Sequence, residues 1–412
     1  MEKLTYIDLF AGAGGLSEGF IREGFIPVAH AEMNADACLT LKTRIAYHYL
    51  KDTNKLDVYH DYQLGKISRE TLYNYIPERL MNSVLNYEIT EDNIYEVFSK
   101  IDELMKISGT DKIKVIIGGP PCQAYSLVGR ARVGDSIKND KRNYLFMLYG
   151  RFLEKYNPDI FVFENVPGLL SAGKGEYFEV LKSYFAELGY DLDNRALNSA
   201  DFGVLQSRKR IIIIGWKKEL GYSYPEFEKT SANYTINDLF EDLPKIKAGD
   251  ILQTTEYIKD SNQYLLDSNL RNGFKYVTQH EARPHIPRDL RIYKRAIEMW
   301  NNEKKRLKYG DIPEEDRTHK NVSAFIDRFK VVDGNGLSHT VVAHISKDGH
   351  YYIHPDINQL RSISIREAAR IQSFPDDYYF EKCRTSAFKQ IGNAVPPLMA
   401  QKIANKIKSF VV

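Results

Sequence analysis

Cysteine is scarce in this chain: Cys38, Cys122 and Cys383 are the three among 412 residues. They are too few and too scattered for a disulfide framework or a cysteine-rich zinc site. A reducing, cytoplasmic setting follows as the expectation, and it leaves Cys122 free to act as a thiol. No stretch approaches the roughly 18 consecutive apolar residues that a membrane span requires, and the longest runs, such as Ile211 to Gly215, have strand length. The first nine residues carry no basic segment followed by an apolar run, so no secretory signal is expected. Internal repeats and low-complexity tracts are lacking too. What is present suits a globular protein: 43% of residues are hydrophobic, and the length fits two lobes or a large domain carrying a smaller one.

Net charge is +2, but it is unevenly placed. Residues 271–330 hold 15 Lys and Arg against 9 Asp and Glu, a net of +6, leaving 42 against 46 elsewhere. A basic region on a slightly acidic protein points to a local polyanion contact; a solvated surface laced with helical salt bridges explains the charge equally well.

The first half alternates β-rich runs with helical patterns, the signature of a layered α/β sheet. Strands are expected at 6–10, 27–31, 114–117, 160–163 and 210–214, with helices over 16–23, 145–155 and 177–188 between them. Residues 44–104 read as a mostly helical insertion capping one edge. Residues 216–359 have weak periodicity and read as an irregular second lobe. Helices return at 364–374 and 398–410.

Four segments carry chemistry. Asp8 to Phe20 reads as a strand entering a turn with glycines at 12, 14 and 15, and then a helix. Glycine there lets backbone approach a ligand at the carboxyl end of a strand, and Glu32 at the end of the next strand is placed for ribose hydroxyls. Dinucleotide and S-adenosylmethionine sites share this pattern, and a purely structural turn fits it too. In Pro120-Pro121-Cys122-Gln123 two prolines stiffen a loop just beyond a buried strand, presenting the thiol as a positioned nucleophile rather than an inert core residue. Glu164 directly follows an apolar strand, where burial favours a proton-carrying carboxyl suited to general acid work; an acidic cap for the next helix is the alternative. Gln206, Arg208 and Arg210 point one way in extended backbone, so the two guanidinium groups suit a phosphate and a base carbonyl, or else an edge ladder of salt bridges.

Taken in order, these blocks resemble the DNA (cytosine-5) methyltransferases over nearly the whole chain. The matching segments are the glycine loop at 8–20, Pro-Pro-Cys-Gln at 120–123, Glu-Asn-Val at 164–166 and Gln-x-Arg-x-Arg at 206–210. Arg361 to Pro375 and Gly392-Asn-Ala-Val-Pro-Pro397 complete the set. The resemblance implies an α/β, Rossmann-like S-adenosylmethionine-dependent methyltransferase sheet with a second, smaller irregular target-recognition domain. The catalytic domain would span 1–220, completed by the C-terminal helix 388–412, and the target-recognition domain 221–387, including an Arg361–Pro375 helix.

It also implies roles. Cys122 would add to cytosine C6, Glu164 would hydrogen-bond or protonate N3, Arg210 would contact O2, and Arg208 would support the loop or a phosphate. For the cofactor, Phe10 would pack on adenine beside Met33, Gly12 and Gly14 would line the methionine end, and Glu32 would take the ribose. Pro120, Leu145, Asn393 and Ala394 would complete the pocket. Glu88, in a Glu-Ile pair where the family more usually has Asp-Ile, is the match for the adenine amino contact. The loop from Gln123 to about Lys141 would close over DNA after the target base is flipped out.

The implied substrate is double-stranded DNA, methylated by one monomer and paired with a cognate restriction endonuclease acting on the same site. A tRNA cytosine-5 methyltransferase shares the catalytic blocks, but its relatives have a compact variable segment, whereas 217–360 is long here. A nicotinamide oxidoreductase would explain the glycine loop and Glu32 but neither Cys122 nor the C-terminal block. No metal is expected, since His339, His344, His350 and His354 fit no common ligand spacing, and no membrane contact is expected.

Overall fold

A computed structural model describes residues 3–120, 145–230, 233–317, 321 and 326–411. The chain runs through β1 (Thr5–Leu9), α1 (Gly15–Arg22), β2 (Ile26–Glu32), α2 (Ala35–Asp52), α3 (Leu56–Gln63), α4 (Arg69–Asn74) and α5 (Glu78–Met81). It continues through β3 (Val84–Asn86), α6 (Ile94–Ser108), β4 (Val115–Gly118), α7 (Leu145–Tyr156), β5 (Ile160–Asn165), α8 (Glu176–Glu187) and β6 (Tyr190–Asn198). Next come β7 (Gln206–Ser207), β8 (Lys209–Lys217), α9 (Ile236–Phe240), β9 (Ile251–Glu256), α10 (Gln263–Asp267), β10 (Tyr276–Glu281) and α11 (Pro287–Glu303). The last are β11 (Ser338–His339), α12 (Ile365–Ile371), α13 (Arg384–Asn393) and α14 (Pro397–Val411).

Seven strands form one sheet in the order β3-β2-β1-β4-β5-β8-β6. β3, β2, β1, β4 and β5 are parallel, while β8 is antiparallel to both β5 and β6. Parallel strands covered on both faces read as continuous apolar runs, and Ile116, Ile117, Phe161, Val162, Ile212 and Ile213 are all buried. On one face α6, α7 and α8 build a core around Phe98, Tyr149, Phe152 and Phe185. On the other, α1 and α14 build a second core around Phe20, Met399 and Ile403. Strand order reverses between β1 and β4, and open α/β sheets bind ligands in the crevice beyond the carboxyl ends of the strands at that reversal. The loops carrying Phe10 and Pro120 begin there.

The expected strands all form, with bounds shifted by one to three residues. Two further strands of the seven-stranded sheet, β3 and β6, were not expected. β3 is three residues long and lies inside the supposed helical insertion, so that region supplies a sheet edge as well as helices. β6 mixes exposed and half-buried residues, five of its nine being Asp191, Asp193, Asn194, Arg195 and Asn198, which hides it from a search for apolar runs. In the second lobe, α11 is a helix of 17 residues that opens with Pro287 at its first turn. It buries Ile292, Tyr293, Ala296 and Ile297. Its charged outer face masks that stripe in the sequence.

The expected helix at 361–375 is shorter, covering Ile365–Ile371. Ser364 caps its start in a capping box with Glu367. At its end Ser373 adopts φ 60, and the amides of Ser373 and Phe374 bond back to the carbonyls of Arg370 and Ala369, a Schellman closure.

α12 sits in a core with residues from α9, α10 and α13 that also takes in Ala13 from the glycine loop and Leu205 from the bend before β7. Buried charge ties the lobes further. Arg44 bridges Glu18 and Asp377 at 2.7 and 2.9 Å, and Tyr62 and Arg69 reach Glu381 at 2.7 and 3.0 Å. The added helices therefore hold residues 377–381 against the first lobe.

Candidate active site

The glycine loop leaves β1 sharply. Phe10, Gly12 and Gly14 have φ of 57, 56 and 81. For Phe10 the left-handed conformation is strained, a condition that persists where surrounding structure imposes it and that clusters at ligand sites. The loop is fixed from two sides. The Gly12 amide donates to Glu32 Oε2 at 2.8 Å, and the Asn34 amide donates to Oε1 at 2.7 Å. From the C-terminal lobe, the Tyr378 hydroxyl donates to the Ala13 carbonyl. The C-terminal block also seats directly on the start of α1: a Cβ at Gly15 would come within 2.3 Å of the Val395 carbonyl oxygen and 3.1 Å of Ala394 Cβ.

Burial raises the Glu32 carboxyl pKa, and its backbone N–H bonds pull it back. Asp8 is fully enclosed, its Oδ2 has no hydrogen-bond partner, and burial and then Glu32 push it well above the usual carboxylate range. Behind the loop, Ser17 Oγ joins the Tyr6 hydroxyl to His30 Nε2, and burial lowers His30 to about 4, leaving the ring neutral.

The other expected cofactor residues gather at the same end of the sheet. Met33 follows β2 and is 57% exposed. Glu88 is exposed just beyond β3, the neighbour of β2, and its carbonyl accepts from Asn93 Nδ2 at 2.7 Å. Pro120 is buried beyond β4, Leu145 opens α7 against the sheet core, and Asn393 and Ala394 end α13. The donor set fits a nucleoside: a carboxylate held by two amides, an exposed thioether, and a glycine at 12 with no atom within 4 Å of where a Cβ would stand.

Beyond β5, Arg210 Nε meets Glu164 Oε1 at 2.8 Å, with the side chains 11% and 12% accessible. The pair forms because β8 runs antiparallel beside β5 and delivers Arg210 to Glu164. Gly119 leaves room for this carboxylate, since a Cβ there would lie 2.7 Å from Glu164 Oε2 and displace it. Next to Glu164, the buried Asn165 donates to the Pro120 carbonyl at 3.4 Å, anchoring the backbone that leads to the Pro-Cys-Gln loop. Cys122 itself, and the loop from Gln123 to Lys141, lie outside the described residues.

Of the two roles expected of Arg208, support of a loop or contact with a phosphate, burial removes the second. Arg208 does share the buried side of the chain with Gln206, but it is wholly enclosed and offers no guanidinium to a phosphate. Instead it donates to the carbonyls of Val341 and Gly392 at 2.6 and 3.2 Å. Burial and then Arg210 push its pKa well down. Gln206 Oε1 accepts from the Val341 amide at 2.7 Å, and its Nε2 donates to Gln372 Oε1 at 2.7 Å. Gln372 passes the chain on to the Ile391 and Ala394 carbonyls at 2.6 and 3.2 Å. Gln372 and Asn165 were unremarked in the sequence, although both lie within the blocks that carry the resemblance.

Two of the four histidines weighed as metal ligands have other partners: His339 bonds the Tyr351 carbonyl, and His354 faces Glu367. Among the described residues no helix is long and apolar enough to cross a membrane.

Comparison with known proteins agrees with this geometry. The family model for C-5 cytosine-specific DNA methylases matches residues 4–69 and 85–409, and the stretch left between them falls in α4, α5 and the start of β3. A type II methyltransferase of Bacillus paralicheniformis is 44% identical over 444 residues, covering 99% of each chain. One from Haemophilus parahaemolyticus is 31% identical over 404 residues, covering 98% of this chain and 86% of its own. In fold, a prophage-encoded E. coli protein assigned as a DNA modification methyltransferase superposes with a TM-score of 0.66 at 23% identity, covering 99% of both chains. This chain belongs to the C-5 cytosine-specific DNA methylase family and is a DNA (cytosine-5) methyltransferase.

Proposed function

We propose that the protein methylates C5 of a cytosine flipped out of double-stranded DNA, using S-adenosylmethionine, as the modification enzyme of a type II restriction-modification system. The observation that carries this reading is the Arg210–Glu164 pair at the carboxyl end of β5. Asn165 braces it against Pro120, two residues before Cys122. A carboxyl group and a guanidinium side by side suit the N3 and O2 edge of a cytosine, and a thiol nearby suits its C6.

In this mechanism the Cys122 thiolate adds to C6, forming a C–S bond and pushing the ring electrons to C5. Glu164 delivers or shares a proton at N3 while Arg210 holds O2, so that charge developing in the ring is met by fixed groups. The bound cosubstrate supplies an electrophilic sulfonium methyl group. C5 would take that methyl as the S–CH3 bond pair stays on sulfur, leaving a neutral thioether; the C5 proton would pass to a base, the electrons released would expel Cys122 as thiolate, and the N3 proton would return to Glu164. Glu32 orients the ribose, Phe10 and Met33 flank the adenine, Gly12, Gly14, Asn393 and Ala394 enclose the methionine end, and Glu88 faces the adenine amino group. Arg208 acts through the backbone of Val341 and Gly392 and not on the base.

Labelled-methyl transfer to duplex DNA and to tRNA, paired with bisulfite sequencing of DNA from expressing cells, tests the reading. Methylated cytosines within one repeated sequence context support it. Labelling of tRNA alone overturns it in favour of a tRNA cytosine-5 methyltransferase. Protection of that same context from cleavage tests the restriction-modification assignment.

A further inference from the structure

Histidine spacing within 339–354 fits no common ligand pattern, but the fold brings His350 to Asp289 and His285, 61 and 65 positions earlier in the chain. His285 precedes α11, Asp289 stands in the first turn of that helix, and His350 comes from the loop that packs on it. One ring nitrogen of each histidine and one carboxylate oxygen of Asp289 lie within 4.8 Å of one another. Asp289 and His350 are buried, at 8% and 6% exposure.

From this geometry we infer a binding site for one divalent first-row metal ion, of the zinc class, held by His285, Asp289 and His350. Two imidazoles and one carboxylate form a borderline donor set that suits zinc, cobalt or nickel, whereas magnesium and calcium favour oxygen alone. Metal-ligating histidines are normally oriented by hydrogen bonds from neighbouring groups. Both rings have such neighbours here: Ser362 Oγ stands 3.0 Å from His285 Nε2, and the Tyr293 hydroxyl 2.8 Å from His350 Nδ1. Arg288 engages Asp289 through Oδ1. Zinc sites place donors about 2.0–2.2 Å from the ion, hence about 3.4 Å from one another in a tetrahedron, so the widest pair must close by up to about 1.4 Å through side-chain rotation. The ion would clip the start of α11 to the loop that carries His350, and it uses no residue of the cytosine or cofactor sites.

The competing account is a hydrogen-bonded cluster in which Tyr293, 2.8 Å from His350 and 3.3 Å from His285, bridges the two rings with no ion. Chelator-treated, full-length protein titrated with zinc against a chromophoric competitor separates the two. The inferred site binds one zinc ion per chain and raises the thermal midpoint. Asp289→Asn and His285→Gln each weaken binding by at least about tenfold and abolish the thermal shift. Should either variant fail to fold, cobalt-loaded wild-type protein gives the same answer, with intense visible bands of four-coordination and two strongly shifted imidazole N–H resonances. No binding by the wild type, unchanged binding in both variants, or cobalt without shifted imidazole resonances each overturn the site and leave the Tyr293-bridged cluster.

Discussion

Arg210 reaches across from β8 to Glu164 on β5 with 2.8 Å between Nε and Oε1, so the two groups assigned to the cytosine edge are positioned by each other before any base arrives. Preorganised charge of this kind costs no rearrangement at the moment of reaction. Glu164→Gln keeps the size of the side chain and removes its charge and its acidic proton. The expected outcome is a fall in kcat of about 100- to 1,000-fold with cofactor affinity unchanged. Single-turnover methyl transfer measures the first and calorimetric titration the second, and near-normal kcat would remove Glu164 from the mechanism.

Gly119→Ala tests the same group from its backbone side. The added methyl would stand 2.7 Å from Glu164 Oε2, closer than any relaxed contact, so the carboxylate must shift away from Arg210. Catalysis should drop at least about tenfold while stability changes by roughly 1–3 kcal/mol, as for other overpacked sites. Paired kinetic and denaturation measurements check this; equal losses in wild-type and Glu164→Gln backgrounds would show that the methyl acts elsewhere.

Cys122→Ser should abolish methyl transfer and leave DNA binding largely intact, because the oxygen nucleophile is far less ionised than a thiol at neutral pH. Gel-shift titration beside a methylation assay reads both properties, and full turnover in the variant would refute the covalent route.

Arg208→Met leaves the carbonyls of Val341 and Gly392 without their donor. Losing such partners costs about 1–3 kcal/mol, partly offset because a buried charge is removed as well. Unfolding free energy should fall within that range and kcat/KM for DNA should fall with it, while cofactor affinity holds. Unchanged DNA kinetics would confine Arg208 to stability.

Two buried histidines set an acid-side stability limit. His30 and His280 are lowered by burial from 6.5 to about 4, so between those values the unfolded chain binds protons that the folded chain refuses. Stability therefore rises with pH across that window and is complete above about pH 6.5. Each fully transferred proton contributes about 1.4 kcal/mol per pH unit. Thermal midpoints taken from pH 4.5 to 7.5 at constant ionic strength should climb and then level, and His30→Gln, if it folds, should flatten part of the slope. A flat profile below pH 6 would contradict the assignment of neutral rings.

The central strands were legible because β1, β4 and β5 are buried on both faces and read as apolar runs, and because Gly12, Glu32, Glu164 and Arg210 stand at strand ends in a fixed order. What escaped notice depends on partners distant in sequence. β3 is too short to show a period, and β6 is amphipathic at the antiparallel edge. Arg208 looks like a surface cation until Val341 and Gly392, 133 and 184 residues away, are folded around it. The pairing of Arg210 with Glu164 likewise follows from strand direction, which local pattern does not reveal.

The joint at Val341 has one more implication. Gln206 grips its amide and Arg208 its carbonyl, so these polar contacts are made to backbone, while the Val341 side chain is buried in the core that α9, α10, α12 and α13 share. A socket built that way fixes the backbone pose by hydrogen bonds and asks of residue 341 only an apolar side chain that fills the core. Substitutions elsewhere in the segment around residue 341 leave the joint intact so long as this backbone pose and the apolar plug are kept.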